Sequence, residues 1–176
     1  AALSVGSRQV RNRATCIGNI CNASPLADTG TPLLACDAVI LAEGPDGRRE
    51  IPIRDFFIFV RKTSLKPGEI VTAIRVPYIA GAEGVFTKVA RRREVDLSTV
   101  CATVLRCGGE FRFAFGSVAP TPLRLVKTEE LVRGKKPDGA ILQLAVDRGI
   151  AVLATKLPMF AACGLLYEKG LRGGMA

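Results

Sequence analysis

Residues 11–25 read RNRATCIGNICNASP, and the ten residues from Cys16 to Pro25 contain one glycine, two asparagines and two cysteines. Glycine allows a backbone to approach closely, and asparagine and serine side chains offer hydrogen-bond donors and acceptors. A bound diphosphate and its sugar hydroxyls need both properties, and Thr15, Gly18 and Asn19 fit that use. A capped turn that leads into a helix contains the same residue types, so the segment alone leaves two interpretations open.

The composition indicates a globular chain. It has 176 residues, 48% of them hydrophobic, which suits one compact domain or two small ones. Every apolar run is shorter than the roughly 20 residues that a membrane-spanning helix needs, as where Asp37 interrupts TPLLACDAVILA. The chain opens with neither an initiator methionine nor a signal-peptide layout. We therefore expect a soluble, cytoplasmic protein whose given sequence begins within something longer.

Charge limits the classes of function. A net charge of +9 suits an anionic partner such as nucleic acid, a phosphate-bearing cofactor or an acidic protein face. The pattern argues against nucleic acid, because the chain has no tryptophan and only two tyrosines for base stacking. Histidine is absent, which excludes histidine-based triads, histidine metal sites and imidazole proton shuttles.

The cysteines match neither a metal motif nor a disulfide framework. Cys16 and Cys21 have the first spacing of a plant-type iron–sulfur motif, but the third cysteine of that motif is missing. An even count alone does not define a disulfide framework in a chain with this much apolar content. We expect buried or incidental thiols in a reducing cytoplasm for all six, Cys16, Cys21, Cys36, Cys101, Cys107 and Cys163.

Turn residues and apolar spacing predict mixed helices and antiparallel strands in the first half. A short helix is expected over 28–36, capped by Asp28. The turn PDGRR joins the first two strands into a hairpin. Strands are expected at 38–44, 50–53 and 70–77. The glycines of YIAGAEG mark a boundary near Gly81.

A second set of elements follows that boundary. Residues 85–96 are predicted to form a strand that runs into a charged turn, and 97–122 an antiparallel hairpin around the turn GGE. Helices are expected over 121–135, ended by Gly134, and over 138–154. The fold class is therefore α+β, with domains at 1–80 and 81–176.

Four sequence motifs occur along the chain in an order that is typical of one protein family. The first, TCIGNICNASPLAD (Thr15–Asp28), is similar to a signature of Thr-Ile-Gly-Gly-Asn-Ile followed by Ala-Ser-Pro and an aspartate. The others are RDFFIFVRKTSLKPGEIVTAIRVP, FTKVARRREVDLS and GSVAPTPLR. Together they resemble the FAD-binding, or medium, subunit of the molybdenum hydroxylases, a group that includes the xanthine dehydrogenase and carbon monoxide dehydrogenase families. The combination covers most of the chain up to Arg124 and is more specific than any single motif.

This resemblance implies a division of the chain. Residues 1–80 correspond to the second part of an FAD-binding α+β domain, whose glycine-rich first part is absent. Residues 81–176 correspond to a small α/β C-terminal domain with an antiparallel sheet and helices.

The resemblance also implies FAD as the cofactor. The signature residues line its diphosphate region, and Asp28 accepts from a ribose or ribityl hydroxyl while also capping the helix. Val71 contacts the flavin through its backbone, although any strand would place a valine there. Lys88 reaches the isoalloxazine edge, where its charge stabilises reduced flavin. The cofactor-binding positions are thus Thr15, Ile17, Gly18, Asn19, Asn22, Ser24, Asp28, Val71 and Lys88. No metal ligand and no catalytic side chain is assigned.

Two groups of charged residues have two interpretations each. Arg91–Arg93 and the pair Arg61–Lys62 are either solvated surface or lie near the flavin or a partner subunit. Asp96 is expected to pair with the arginine run.

One position departs from the signature. Ile17 stands where the family has the first of two glycines. If that position needs a positive φ or contact with a phosphate, Ile17 strains the loop by on the order of 1–3 kcal/mol. Flavin affinity then falls, or the loop takes a different path.

Two functions fit this pattern. The first is an FAD-binding electron-transfer subunit of a molybdenum-dependent hydroxylase or dehydrogenase, which passes electrons from an iron–sulfur partner through flavin to a terminal acceptor. Its partners are an iron–sulfur subunit and a molybdopterin subunit. The second is a truncated or degenerate interaction module of such a complex that binds no flavin, which Ile17 favours. A nucleic-acid-binding domain rests on charge alone.

Overall fold

The computed structural model describes residues 1–92 and 95–134. The helix predicted over 138–154 lies outside these residues, as do Arg93 and Cys163. Contacts group Ala1–Lys135 into one compact unit.

The first 35 residues build four short helical elements. Ser7 and Thr15 each precede a helix, and their hydroxyls accept a hydrogen bond from a backbone N–H of its first turn. The elements are a 3-10 turn at Ala2–Ser4, α1 at Arg8–Arg13, α2 at Cys16–Cys21 and α3 at Gly30–Ala35. The N-cap of α3 is Thr29, whose side chain makes no capping hydrogen bond. The prediction that Asp28 caps this helix is therefore wrong, because its carboxylate is bonded to Lys88, Ser4 and Ser98 instead.

A three-stranded antiparallel sheet follows. It contains the three strands that the sequence predicts, at β1 (Val39–Gly44), β2 (Gly47–Pro52) and β5 (Ile70–Arg75). The order is β2-β1-β5, so β1 is central, and its Ile40 and Ala42 are buried. Gly47, the first residue of β2, has a φ of +103° where the chain leaves the turn after β1, and only glycine adopts this conformation readily.

A small hairpin lies between β2 and β5 along the chain. One helical turn, α4 (Ile53–Phe56), leads into β3 (Phe57–Phe59), which pairs with β4 (Lys62–Thr63). Ile53 and Phe56 are fully buried, whereas Ile58 and Phe59 are exposed. The sequence predicted no element here, because the run FFIF has neither a helical nor an alternating pattern.

The second sheet has four antiparallel strands in the order β6-β7-β8-β9. They lie at β6 (Glu83–Val89), β7 (Val100–Cys107), β8 (Glu110–Gly116) and β9 (Leu123–Arg124). Helix α5 (Val126–Val132) is shorter than predicted, because Leu123 and Arg124 pair with β8 rather than joining the helix. Gly134 follows it with a φ of +71°, as expected of a glycine that ends a helix.

Helix α3 packs against β7 and β8 and so fixes the end of the signature segment relative to the second sheet. Thr31 and Thr103 join the two layers through hydroxyls 2.9 Å apart. Gly116 lies under the helix, where a Cβ would be 2.6 Å from Cys101 Sγ. One hydrophobic cluster includes Ile40 of β1 and Leu105 of β7 and thus contains residues of both sheets. Within the described ranges, no helix is long and apolar enough to cross a membrane.

Candidate cofactor site

A buried ion pair lies at the centre of the site. Lys88 Nζ is 2.8 Å from Asp28 Oδ2, and the two side chains are 14% and 3% exposed. Strand β6 supplies the lysine, and the aspartate ends the signature segment just before α3. The ammonium also donates to the backbone carbonyls of Ser4, at 3.0 Å, and Asp96, at 2.9 Å. All three of its N–H groups therefore have an acceptor.

The Asp28 carboxylate is held by two hydroxyl groups as well. Ser4 Oγ lies 3.0 Å from Oδ2 and shares its single hydrogen between that oxygen and the Ala1 carbonyl, which is 2.6 Å away. The buried Ser98 Oγ donates to Oδ1. Burying a carboxylate is costly unless it is paired and hydrogen-bonded, and both conditions hold here. Asp28 consequently holds Lys88 in a fixed position, and Lys88 is the member of the pair that lines a cleft.

Two clefts border the N-terminal segment, and Leu3, Arg8 and Arg11 line both of them. The larger, of about 780 Å³, contains Lys88 in its wall. The smaller, of about 480 Å³, is lined by the signature residues Thr15 and Asn19. Both volumes fall within the roughly 300–1,000 Å³ of small-molecule sites.

The larger cleft is basic. Arg91 and Arg92 line it with side chains 80% and 70% exposed, and each lies 3.7 Å from Asp96. Hydrogen bonds from the backbone N–H groups of Arg92 and Leu97, together with the two guanidinium groups, hold the pKa of Asp96 below its ordinary value. The expected pairing of Asp96 with the arginine run is present. Because this acid is shared between exposed arginines, the pairing adds little stability and leaves cationic groups facing the cleft.

The signature segment forms a capped helix. Thr15 Oγ1 accepts from Gly18 N at 2.9 Å, and a Cβ at Gly18 would lie 3.0 Å from that oxygen. Asn19 Oδ1 accepts from Thr29 Oγ1, which ties α2 to the residue before α3. The capped-turn interpretation therefore describes the local structure. It does not exclude ligand binding, because Thr15 and Asn19 also line the smaller cleft.

Ile17 lies inside α2 with a helical backbone. The residue is not among the non-glycine residues with positive φ and is partly buried. The first condition for strain at this position, a positive φ, is therefore not met, because the local conformation is an ordinary helix. Ile17 lines neither of the two clefts.

Asn22, Ser24 and Val71 also lie away from the clefts. Asn22 Oδ1 accepts from the Arg61 guanidinium, and Ser24 Oγ accepts from Leu26 N at 3.2 Å. Val71, in β5, packs against the hydrophobic core. Of the predicted residues, Thr15, Asn19 and Lys88 line the two clefts, and Asp28 contacts Lys88 without lining either. The other predicted positions line neither cleft: Ile17, Gly18, Asn22, Ser24 and Val71.

Sequence reasoning missed Ser4, Ser98 and the two arginines common to both clefts. Arg8 is exposed, and Arg11 donates to the carbonyls of Val5 and Gly6 at 3.0 and 3.1 Å. Ser98 ends the motif FTKVARRREVDLS, which was the one available signal. Ser4 and Asp28 are 24 residues apart with no periodic relation, so their contact could not be read from the chain.

Comparison with known proteins shows which family the chain is similar to. Residues 1–79 match the family model of the FAD binding domain in molybdopterin dehydrogenase. Residues 86–155 match that of the CO dehydrogenase flavoprotein C-terminal domain.

Individual relatives give the same result. The carbon monoxide dehydrogenase medium chain of Hydrogenophaga pseudoflava is 35% identical over 157 residues, which cover 86% of this chain and 55% of that protein. The putative xanthine dehydrogenase FAD-binding subunit of Escherichia coli (strain K12) is 39% identical over 137 residues, which cover 74% and 47%. The fold is also similar to a solved structure, that of the Hydrogenophaga pseudoflava carbon monoxide dehydrogenase lacking the Mo-pyranopterin moiety of the molybdenum cofactor. The TM-score is 0.76 and the sequence identity 31%, and the match covers 96% of this chain and 63% of the chain in that structure.

Fold, clefts and comparisons together define an α+β flavoprotein domain of the molybdopterin dehydrogenase type, whose cofactor is FAD. The chain belongs to the FAD-binding subunit family of the molybdenum hydroxylases, as its four motifs predicted. It spans about half the length of the curated relatives it matches.

Proposed function

We propose that the chain serves as an FAD-binding electron-transfer subunit in a cytoplasmic molybdenum-dependent hydroxylase or dehydrogenase. Electrons would arrive from an iron–sulfur subunit, itself supplied by a molybdopterin subunit, and leave to a terminal acceptor. The observation that carries the proposal is that the Lys88–Asp28 pair joins the two matched family regions at a basic cleft. We further propose the domain division at 1–80 and 81–176.

The residues present fit FAD. Its diphosphate is anionic, and the exposed Arg8 borders both clefts. Thr15 and Asn19 offer polar atoms in the smaller cleft, whereas Leu3 and Val5 offer apolar surface there for a ring. We propose these residues, with Gly18 for close backbone approach, as the part of the FAD site that this chain contributes.

Bound FAD supplies the redox chemistry, and the protein positions it and tunes its electrostatics. Lys88 places a positive charge in the wall of the larger cleft, where a neighbouring negative charge is stabilised. Asp28, Ser4 and the carbonyl of Asp96 fix that ammonium, so little reorganisation is needed when charge develops nearby. The absence of histidine is compatible with this role, because no side-chain acid or base is required.

The proposal is tested by purification and FAD titration. We expect visible flavin absorption, or its appearance on adding FAD, with quenching of flavin fluorescence at one equivalent. Lys88→Met should weaken binding, and Lys62→Met, which alters an exposed lysine in β4 away from the clefts, should not. Protein that stays colourless after FAD is added would contradict the proposal.

The same preparation tests the alternative of an interaction module without flavin. Colourless protein that co-purifies with an iron–sulfur subunit would support that alternative. The argument for it from backbone strain does not apply, because Ile17 is helical.

A further inference from the structure

We propose that Ser98 is a positioning residue of this site, whose buried hydroxyl orients the Asp28 carboxylate and thereby holds the Lys88 ammonium in the cleft wall. The part of this inference that concerns flavin rests on the proposed function. The part that concerns the ion pair does not.

The two carboxylate oxygens of Asp28 have different partners. Lys88 and Ser4 both donate to Oδ2. Ser98 donates to Oδ1, and no other group in the described part of the chain does so. Ser98 is 2% exposed, so water cannot replace its hydroxyl without opening the structure. The Ser98 hydroxyl therefore determines which way the carboxylate plane faces.

The segment from Asp96 to Ser98, which precedes β7, holds both members of the ion pair. Ser98 bonds the acid, and the Asp96 carbonyl, two residues earlier, accepts from the Lys88 ammonium at 2.9 Å. Removing the Ser98 hydroxyl would leave Oδ1 buried without a donor, which is more costly than losing an exposed hydrogen bond. The carboxylate would then turn to recover a partner, and its contact with Lys88 would weaken.

A weakened pair has two measurable consequences. The Lys88 ammonium becomes more accessible from the larger cleft, because its strongest partner no longer fixes it. Its charge is also less compensated. A less compensated positive charge beside flavin favours the reduced, more negative form, so the reduction potential shifts to a more positive value.

The first experiment uses protein without flavin. Acetic anhydride modifies exposed lysine amines, and peptide mass spectrometry gives the rate at Lys88. For Ser98→Ala we expect this rate to rise about tenfold, the equivalent of one lost hydrogen bond. Ser98→Thr keeps the hydroxyl and should keep Lys88 protected. An unchanged rate in Ser98→Ala would overturn the inference.

Two matched variants separate orientation from general loosening. Ser64→Ala removes another buried serine hydroxyl, one that has no hydrogen-bond partner among the described residues, and should leave Lys88 protected. Ser4→Ala removes the donor that shares Oδ2 with Lys88, so it should not increase the rate. If Ser98→Ala does not fold, Ser98→Cys offers a weaker donor of similar size. An intermediate rate is then expected, and a wild-type rate overturns the inference.

The second experiment uses the protein loaded with FAD and equilibrated against redox dyes. Ser98→Ala should have a more positive flavin potential than the wild type and Ser64→Ala, and Ser98→Thr should restore the wild-type value. Failure of the wild type to bind FAD would count against the proposed function while the acylation result still decides the role of Ser98. Bound FAD with a wild-type potential and a protected Lys88 in Ser98→Ala would overturn the inference alone.

Discussion

Lys88 Nζ lies 2.8 Å from Asp28 Oδ2, across a sequence separation of 60 residues. Asp28 belongs to the region that matches the FAD binding domain, and Lys88 belongs to the region that matches the flavoprotein C-terminal domain. The contact therefore joins the signature segment to the second sheet. Both side chains are largely buried, so neither can be removed without leaving a charge unpaired.

Replacing Lys88 with methionine is expected to reduce the free energy of unfolding by on the order of 3 kcal/mol. The methionine keeps the volume of the side chain but leaves the Asp28 carboxylate buried with two hydroxyl donors and no cation. Urea denaturation measures the effect.

The double variant Lys88→Met, Asp28→Asn provides the control. It removes both charges and should be more stable than Lys88→Met alone. A double variant that is less stable than the single one would show that the Lys88–Asp28 pairing is not the source of the loss.

Replacing Thr15 with alanine should destabilise the protein by about 1 kcal/mol, because the hydroxyl that caps α2 is lost. Thr15→Ser keeps the capping oxygen and should retain most of the stability. Thermal denaturation compares the three proteins. Equal losses in the two variants would indicate that the methyl group, rather than the cap, is responsible.

Restoring the signature glycine at Ile17 should lower stability rather than improve the site. Glycine inside a helix costs about 1 kcal/mol relative to alanine, and the variant also loses the partial burial of the isoleucine. Because Ile17 lines neither cleft, FAD affinity should stay at its wild-type value. A clear gain in affinity for Ile17→Gly, measured by fluorescence titration, would show that the isoleucine does obstruct the cofactor.

The Arg49–Glu69 pair should give the stability a specific dependence on acid pH. Arg49 donates to both carboxylate oxygens, at 2.7 and 2.8 Å, and Lys66 N adds a bond of 2.6 Å. These bonds lower the pKa of Glu69 from 4.5 to about 2, chiefly through the Arg49 guanidinium. A pKa lowered in the folded state stabilises the protein above the unfolded value, and that stabilisation is lost as the pH falls from 4.5 to about 2.

Glu69→Gln should therefore be less stable than the wild type at neutral pH. As the pH falls from 4.5 to about 2, this variant should lose less of its free energy of unfolding than the wild type does. Denaturation midpoints across this pH range measure the difference. Glu43→Gln alters a more exposed acid paired with Arg48 and serves as the control, with little change expected. Parallel pH curves for wild type and Glu69→Gln would contradict the assignment.

Much of the fold could be predicted from the sequence because its signals are local. Two hairpins were predicted from their turn residues, one around Gly47 and one at the glycine pair between β7 and β8. The alternation of apolar and polar residues predicted the strands on either side. Helix α5 was predicted too long, because pairing of Leu123 with β8 outweighs the helical pattern of its neighbours. The hairpin of β3 and β4 was missed, because what buries Phe56 is tertiary packing rather than a pattern along the chain.

The amino-acid sequence by itself determined the α+β class, the family and its cofactor, because motif order and turn chemistry are properties of the chain alone. Only the tertiary structure showed that Asp28 faces Lys88 and Ser98 instead of capping α3, and that Ile17 adopts an unstrained helix. Ser4, Asp28, Lys88 and Ser98 come from four separate segments, and their contacts depend on how α3 packs on the second sheet. The free-energy cost of burying a charge depends on which groups pack around it, and the spacing of residues along the chain does not specify those groups.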